Sequence, residues 1–137
     1  MVKSVIKMVN SYKLSMIAIA LLLYLSFNDA NKYDNLSFLM FPHADKVIHF
    51  FMYFGVASAL YIDFIWLNRK RATSLVLAIT VLLAGVTEVV QQLLTDTRSG
   101  DVWDFVCNVI GGVVAMSLAP HTANLYFKFI NYVRRFF

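Results

Sequence analysis

Charged residues are scarce in this chain of 137 residues: they make up 15% of it, whereas apolar residues make up 60%. Soluble domains carry roughly a quarter charged residues and about half apolar ones. The composition therefore indicates a membrane protein rather than a soluble one. The length leaves room for one domain, so we expect a single membrane domain over residues 1–137.

Cysteine is nearly absent too. The chain has one, Cys107, which excludes an intramolecular disulfide. It also has no Gly-rich phosphate loop and no HExxH, HxxxH or GxSxG pattern. Nothing in the sequence suggests a nucleotide site, haem or nucleic acid, and we predict no cofactor and no bound metal.

Apolar runs divide the chain into four candidate transmembrane helices, at about residues 12–28, 46–67, 72–94 and 101–119. The first is near the lower limit of ~17–25 residues for a crossing helix, and its basic start also fits a signal peptide. We favour a retained helix because no small-x-small cleavage site follows. Pro120 is expected to end the fourth span. The tail, residues 121–137, mixes aromatic and basic side chains and is predicted to be an amphipathic helix on the membrane surface.

Lysine and arginine cluster on one side of this predicted all-α bundle. Nine of the twelve lie in the N-terminal segment, the loop between the second and third spans, and the tail, whereas Lys32, Lys46 and Arg98 fall on the other side. Basic residues favour the cytoplasmic side, so both termini are predicted to be cytoplasmic. We expect a multi-pass protein of a bacterial cytoplasmic (inner) membrane, in contact with the lipid bilayer; a homodimer is left open.

Polar side chains recur near the outer ends of the second, third and fourth spans. Within each span most are three or four residues apart, which places them on one helix face. Because unpaired polar groups are costly in a bilayer, three such faces at one depth predict a shared pocket that opens outward. The residues predicted to form this functional cluster are Asp45, Lys46, His49, Tyr53, Glu88, Gln91, Arg98, Asp104 and Asn108.

Small residues follow Asn108 along the fourth span. Gly111, Gly112 and Ala115 are predicted to let a neighbouring helix approach closely, as small residues do in membrane bundles.

This combination of residues resembles the VanZ-like membrane protein family. The matching residues are Asp45-Lys46-x-x-His49-Phe50-x-x-Tyr53, Glu88-x-x-Gln91, Arg98-Ser99 and Asp104-x-x-x-Asn108-x-x-Gly111, within roughly residues 45–115. The resemblance implies a small polytopic envelope protein, and the family's namesake lowers susceptibility to a glycopeptide antibiotic. No established catalytic reaction comes with the family, so it informs the fold and location more than the activity.

Plainer structural roles stay open for the acidic residues. Asp45 and Asp101 each precede an apolar run and could be N-caps, with Asp104 as the acidic residue of the first turn. Asp63 is expected to be an interfacial partner for the basic residues 69–71.

His49 and Glu88 have structural interpretations as well. His49 could be a core histidine bonded to Asp45 one turn earlier. Glu88 lies about two turns inside its span, where an unpaired carboxylate costs at least ~2.5 kcal/mol. It is expected to pair with Arg98, Lys46 or His49, or to stay protonated.

Three functions compete. The first is a binding or shielding protein whose pocket recognises a lipid headgroup, a cell-wall precursor or a peptide antibiotic. The second is an intramembrane hydrolase or transferase acting on a lipid or cell-wall precursor, with His49 and Asp45 as an oriented base. The third is a structural or transport subunit in which the cluster only locks the helices together.

Overall fold

The computed structural model describes residues 11–27, 43–94 and 101–136, and these residues form four α-helices and no strand. The helices are α1 (Lys13–Phe27), α2 (Ala44–Trp66), α3 (Ala72–Leu94) and α4 (Val102–Val133). The predicted all-α class is therefore confirmed. Arg98 lies outside the described residues.

Three of the helices in the described part of the chain, α2, α3 and α4, are long and apolar enough to cross a membrane. The first helix has 15 residues. At about 1.5 Å per residue it covers roughly 22 Å, less than the ~30 Å of a hydrocarbon core. A membrane bundle follows from the other three, while the fourth span and the cytoplasmic termini stay predictions.

The distribution of apolar and polar residues around α3 is typical of a helix surrounded by lipid. Its outer stripe is apolar and exposed, with Leu82, Val86 and Val89 at helical spacing. Its buried side chains are mostly small or polar, and include Val76, Thr80, Ala84, Thr87 and Gln91. In water the apolar stripe would be the buried one, whereas a membrane helix turns small and polar residues toward its neighbours.

The α2 and α4 helices form the most extensive interface, and a glycine sets their separation. A Cβ atom added at Gly111 would collide with the carbonyl oxygen of Phe50 and would lie 3.2 Å from the backbone nitrogen of Phe54. At Gly112 an added Cβ would lie 2.6 Å from Cγ2 of Thr80 on α3. Ala115 is fully buried one turn further on. Three helices thus meet along this small-residue stripe.

The prediction that Pro120 ends the last helix is wrong. The α4 helix continues through Pro120 to Val133, so most of the predicted tail, residues 121–133, belongs to it. Contacts beyond the proline account for this: Ala123 is buried, and the ring of Phe127 stacks on Trp66 of α2 at 5.9 Å. In a bundle, such packing offsets the hydrogen bond that proline cannot donate.

Hydrogen bonds from two buried side chains attach α1 to the bundle. Asp63 of α2 accepts from the backbone nitrogen and the hydroxyl of Ser15, at 2.8 and 2.7 Å. The side chain of Gln91 donates to the carbonyl of Ser26 at 2.9 Å. The expected pairing of Asp63 with residues 69–71 is therefore wrong, since the carboxylate turns inward to α1; Arg69 donates instead to the hydroxyl of Tyr12.

Candidate functional site

The start of α2, the end of α3 and the start of α4 meet at one end of the bundle. Two groups of polar side chains lie there, one around Lys46 and one around Asn108. The first is partly exposed and the second is buried. We refer to both together as the polar cluster: Asp45, Lys46, His49, Glu88, Asp101, Asp104 and Asn108.

The ammonium of Lys46 lies among three carboxylates. Its Nζ atom is 3.0 Å from Asp101 Oδ2, 3.1 Å from Asp104 Oδ1 and 3.2 Å from Asp45 Oδ2. Asp45 is mostly exposed, whereas Asp104 is nearly buried. The lysine therefore joins the first turn of α2 to the first turn of α4.

Asp101 has two roles at this end of α4. It is the N-cap residue, since its side chain accepts from the backbone nitrogen of Trp103 at 2.9 Å, as predicted. That N–H, and then the Lys46 ammonium, hold the pKa of Asp101 below its ordinary value. The cap of α2 differs: His43 occupies the N-cap position and Asp45 lies in the first turn, so the N-cap prediction for Asp45 is wrong.

Asn108 bridges two buried polar groups, those of His49 and Glu88. Its Nδ2 donates to Glu88 Oε1 at 3.0 Å, and its Oδ1 lies 3.0 Å from His49 Nδ1. Because an amide oxygen can only accept, Nδ1 of His49 carries a proton and donates. The expected bond between His49 and Asp45 is thus wrong: histidine turns toward α4, where the amide is in reach.

Carboxylates also lie near both nitrogens of the imidazole. Nε2 of His49 is 3.8 Å from Asp104 Oδ2, and Nδ1 is 3.9 Å from Glu88 Oε1. Glu88 thus lies near His49, as expected, although its short hydrogen bond is to Asn108. His49 therefore links the buried group to the acids that hold Lys46.

One carboxylate oxygen in the buried group stands out. Glu88 Oε2 is inaccessible to solvent and has no hydrogen-bond partner among the described residues, although the backbone N–H of Asp101 lies close to the same carboxyl group. A buried acceptor without a donor costs about 1–3 kcal/mol, and more when it is charged. The site therefore holds an acceptor that a bound donor group would satisfy.

Two of the predicted cluster residues bond elsewhere. The hydroxyl of Tyr53 bonds to that of Thr87 on α3, which itself donates to the carbonyls of Leu83 and Ala84. Tyr53 is therefore the donor in their shared bond. Gln91 reaches α1 through its bond to Ser26. Both side chains are buried and join helices.

Two residues that form hydrogen bonds at this end of the bundle, Asp101 and Thr87, were not predicted to belong to the functional cluster. Asp101 was interpreted only as a cap, although its position three residues before Asp104 places both on one side of the first turn. Thr87 was not singled out, because a hydroxyl next to Glu88 carries no distinctive spacing. No group of three or more His, Cys, Asp and Glu side chains in the described ranges is arranged to hold a metal ion.

Comparison with known proteins identifies a family whose model matches this sequence. The family model described as VanZ/LLP1 matches residues 2–126. An uncharacterized protein of the fission yeast Schizosaccharomyces pombe, C11E3.10, is 38% identical over 78 residues, which is 56% of this chain and 47% of that protein. The match thus covers about half of the relative's length.

No solved structure matches the chain. The family match covers nearly the whole sequence and contains every residue of the polar cluster. The chain belongs to the VanZ/LLP1 family.

Proposed function

We propose that the polar cluster binds a polar group of a cell-envelope component, either a lipid headgroup or a cell-wall precursor. By binding or shielding that component, the protein lowers susceptibility to glycopeptide-type antibiotics. In this proposal the cluster faces outward from a bacterial cytoplasmic membrane. Membership of the VanZ/LLP1 family supports an envelope role.

The observation that carries the proposal is the unsatisfied Glu88 Oε2 atom beside a bridged histidine. A group that only locked helices together would satisfy its buried acceptors, because an unmet acceptor offsets the stability gained. Glu88, His49 and Asn108 come from three helices and are joined by hydrogen bonds. That arrangement suits recognition of a hydrogen-bond donor.

The net charge of the polar cluster limits which ligands it can bind. The described part of the site holds four carboxyl groups and one ammonium: Asp45, Asp101 and Asp104 contact Lys46, and Glu88 lies beside His49. An excess of carboxylates attracts a cationic group and repels an anion. The proposed ligand therefore presents an ammonium or another donor to the cluster, as amino-bearing headgroups, cell-wall peptides and peptide antibiotics do.

The test uses Glu88→Gln, which removes the charge and keeps an oxygen that can accept from Asn108. Gln92→Ala is the matched control, because Gln92 lies on the same helix and is exposed. We expect both variants to reach the wild-type amount in the membrane. Only Glu88→Gln should lose protection against a glycopeptide, measured as the inhibitory concentration in cells that lack the native protein.

Two outcomes would contradict binding at the cluster. Unchanged protection at wild-type abundance would show that Glu88 serves no ligand. Loss of abundance in parallel with protection would assign the cluster a structural role, as in a helix-locking subunit.

A second candidate function rests on the orientation of His49. With Nδ1 donating to Asn108, its Nε2 faces Asp104 and could accept a proton as a general base in a hydrolase or transferase. His49→Gln separates the two functions. A base would be required for turnover of a lipid or cell-wall precursor while binding persists, whereas a binding protein shows no turnover in either form.

A further inference from the structure

A polar cavity lies at the end of the bundle opposite the polar cluster. It is a cleft of about 580 Å³ between the start of α1 and the ends of α2 and α4. Its lining includes Lys13, Asp63, Trp66, Tyr126, Ile130 and Arg134. Asp63 is on the order of 20 Å further along α2 than His49, at about 1.5 Å per residue. The cleft is therefore separate from the polar cluster.

Two cations of the cleft have no acidic partner. Lys13 and Arg134 are both exposed, and no carboxylate in the described residues lies within ion-pair distance of either. They come from the first turn of α1 and from the residue that follows α4. Two cations that line one cleft suit the binding of a phosphate group.

The buried carboxylate of Asp63, which lines the cleft, can accept further hydrogen bonds. Both hydrogen bonds from Ser15 go to Asp63 Oδ2, so Oδ1 accepts no bond from the described residues. An ionised carboxylate can accept about four hydrogen bonds. Asp63 can therefore bind a cationic donor in the same cleft in which Lys13 and Arg134 bind an anion.

Apolar and aromatic residues complete the lining. Leu14 and Ile130 offer apolar walls, and Trp66 and Tyr126 carry a polar atom on an aromatic ring. Trp and Tyr are enriched at the level of lipid headgroups in membrane proteins. A ligand with a charged end and hydrocarbon chains fits such a lining better than a small soluble ester.

We propose that this cleft binds an aminophospholipid, with its phosphate on Lys13 and Arg134 and its ammonium on Asp63. The charges match in number and sign: two cations for the phosphate and one carboxylate for the amine. A phospholipid whose amine is fully methylated has no N–H to donate to Asp63. One that lacks an amine leaves that carboxylate without a partner.

The experiment uses fluorescence quenching of Trp66 by lipids with brominated chains. The chain has two tryptophans, and Trp103 at the other end of the bundle is exposed, so Trp103→Phe leaves one reporter. The full chain is reconstituted in bilayers that contain a small fraction of brominated phosphatidylethanolamine, phosphatidylcholine or phosphatidylglycerol. We expect phosphatidylethanolamine to quench Trp66 at about tenfold lower fraction than phosphatidylcholine, the effect expected for a charge-assisted hydrogen bond.

Variants then test which charged side chains bind the phosphate and which binds the ammonium of the lipid. Lys13→Gln with Arg134→Gln should weaken phosphatidylethanolamine binding at least about tenfold. Lys70→Gln with Lys128→Gln removes the same charge at exposed positions outside the cleft and should leave binding unchanged. Asp63→Asn keeps an oxygen for Ser15 and should abolish the preference for phosphatidylethanolamine over phosphatidylcholine.

Three results would overturn the proposal. Equal quenching by all three lipids in the otherwise native chain would show that no headgroup is selected, whatever the fate of the variants. An equal effect of the control pair would reduce the selection to general surface charge. Displacement of the brominated lipid by soluble glycerophosphoethanolamine at similar concentration would show that the lipid chains contribute nothing.

Discussion

At the scale of single residues, Asn108 holds the buried part of the polar cluster together. It is fully buried, and its amide donates to a carboxylate on one helix while accepting from an imidazole on another. Among short side chains only an amide offers a donor and an acceptor in this fixed geometry. Asn108 therefore joins α2 and α3 through a residue of α4.

We predict that Asn108→Ala lowers the free energy of unfolding by about 2–4 kcal/mol, because it leaves buried groups of His49 and Glu88 without their partner. Thermal unfolding in detergent or bilayers measures this loss. Asn131→Ala is the matched control, since Asn131 is exposed on the same helix, and it should change stability by less than about 0.5 kcal/mol. Equal effects of the two substitutions would show that the bridge contributes nothing.

The sequence predicted which residues lie at this end of the bundle better than it predicted their partners. The four-residue spacing correctly suggested that His49 shares a helix face with Asp45. It could not show that the imidazole turns to α4, because that depends on how α2 and α4 are rotated against each other. Partners 59 residues apart in the chain, such as His49 and Asn108, are set by packing and not by local pattern.

At the scale of helices, Gly111 controls how closely α2 and α4 approach. The atoms that a side chain would meet there belong to the backbone of α2, which cannot rotate away as a side chain can. Gly55 on the outer surface of α2 offers the opposite case, since an added Cβ meets nothing within 4 Å.

We predict that Gly111→Ala destabilises the protein by about 1–3 kcal/mol, because the two helices must separate. Gly55→Ala should instead be neutral or stabilising by up to about 1 kcal/mol, through better helix propensity. Unfolding temperatures of the two variants in the same detergent provide the comparison. If both alanines were tolerated equally, the close contact at Gly111 would not limit the packing.

Gly112 extends this prediction to α3. An alanine there meets the Cγ2 methyl of Thr80, which Thr80→Ser removes while keeping the hydroxyl that bonds to the Val76 carbonyl. Thr80→Ser should therefore restore much of the stability lost in Gly112→Ala and none of that lost in Gly111→Ala. If α3 and α4 instead move apart in Gly112→Ala, the stability of the double variant will equal the sum of the two single effects.

The end of α4, beyond Pro120, is a helix boundary that the sequence did not predict correctly. The starts and ends of α2 and α3 follow from apolar runs and the basic loop between them. The end of α4 does not, because local propensity alone argues for a stop at proline. Only the buried Ala123 and the stacked Phe127 explain the continuation, and these contacts involve residues distant in sequence.

At the scale of the whole molecule, the unequal distribution of charge predicts the orientation in the membrane. We predict that the loop between α2 and α3 and both termini are cytoplasmic, while the start of α4 faces outward. In a Cys107→Ser background, Val102→Cys should react with a membrane-impermeant maleimide in intact cells. Lys70→Cys, Ser4→Cys and Phe136→Cys should react only after the membrane is permeabilised.

This labelling also counts the spans. Four spans require Ser4→Cys and Lys70→Cys to react alike, whereas three spans place them on opposite sides. Reaction of Val102→Cys and Lys70→Cys under the same condition would contradict the predicted orientation altogether.

The bridge made by Asn108 has a consequence for how the protein is made. Synthesis runs from the N-terminus, so α2 and α3 enter the bilayer with His49 and Glu88 before α4 has been translated. Until Asn108 arrives, both groups lie inside a membrane helix without the partner that joins them, at the energetic cost such groups carry there. A chain interrupted before α4 thus leaves a histidine and a carboxylate inside the membrane without the amide that joins them in the complete bundle.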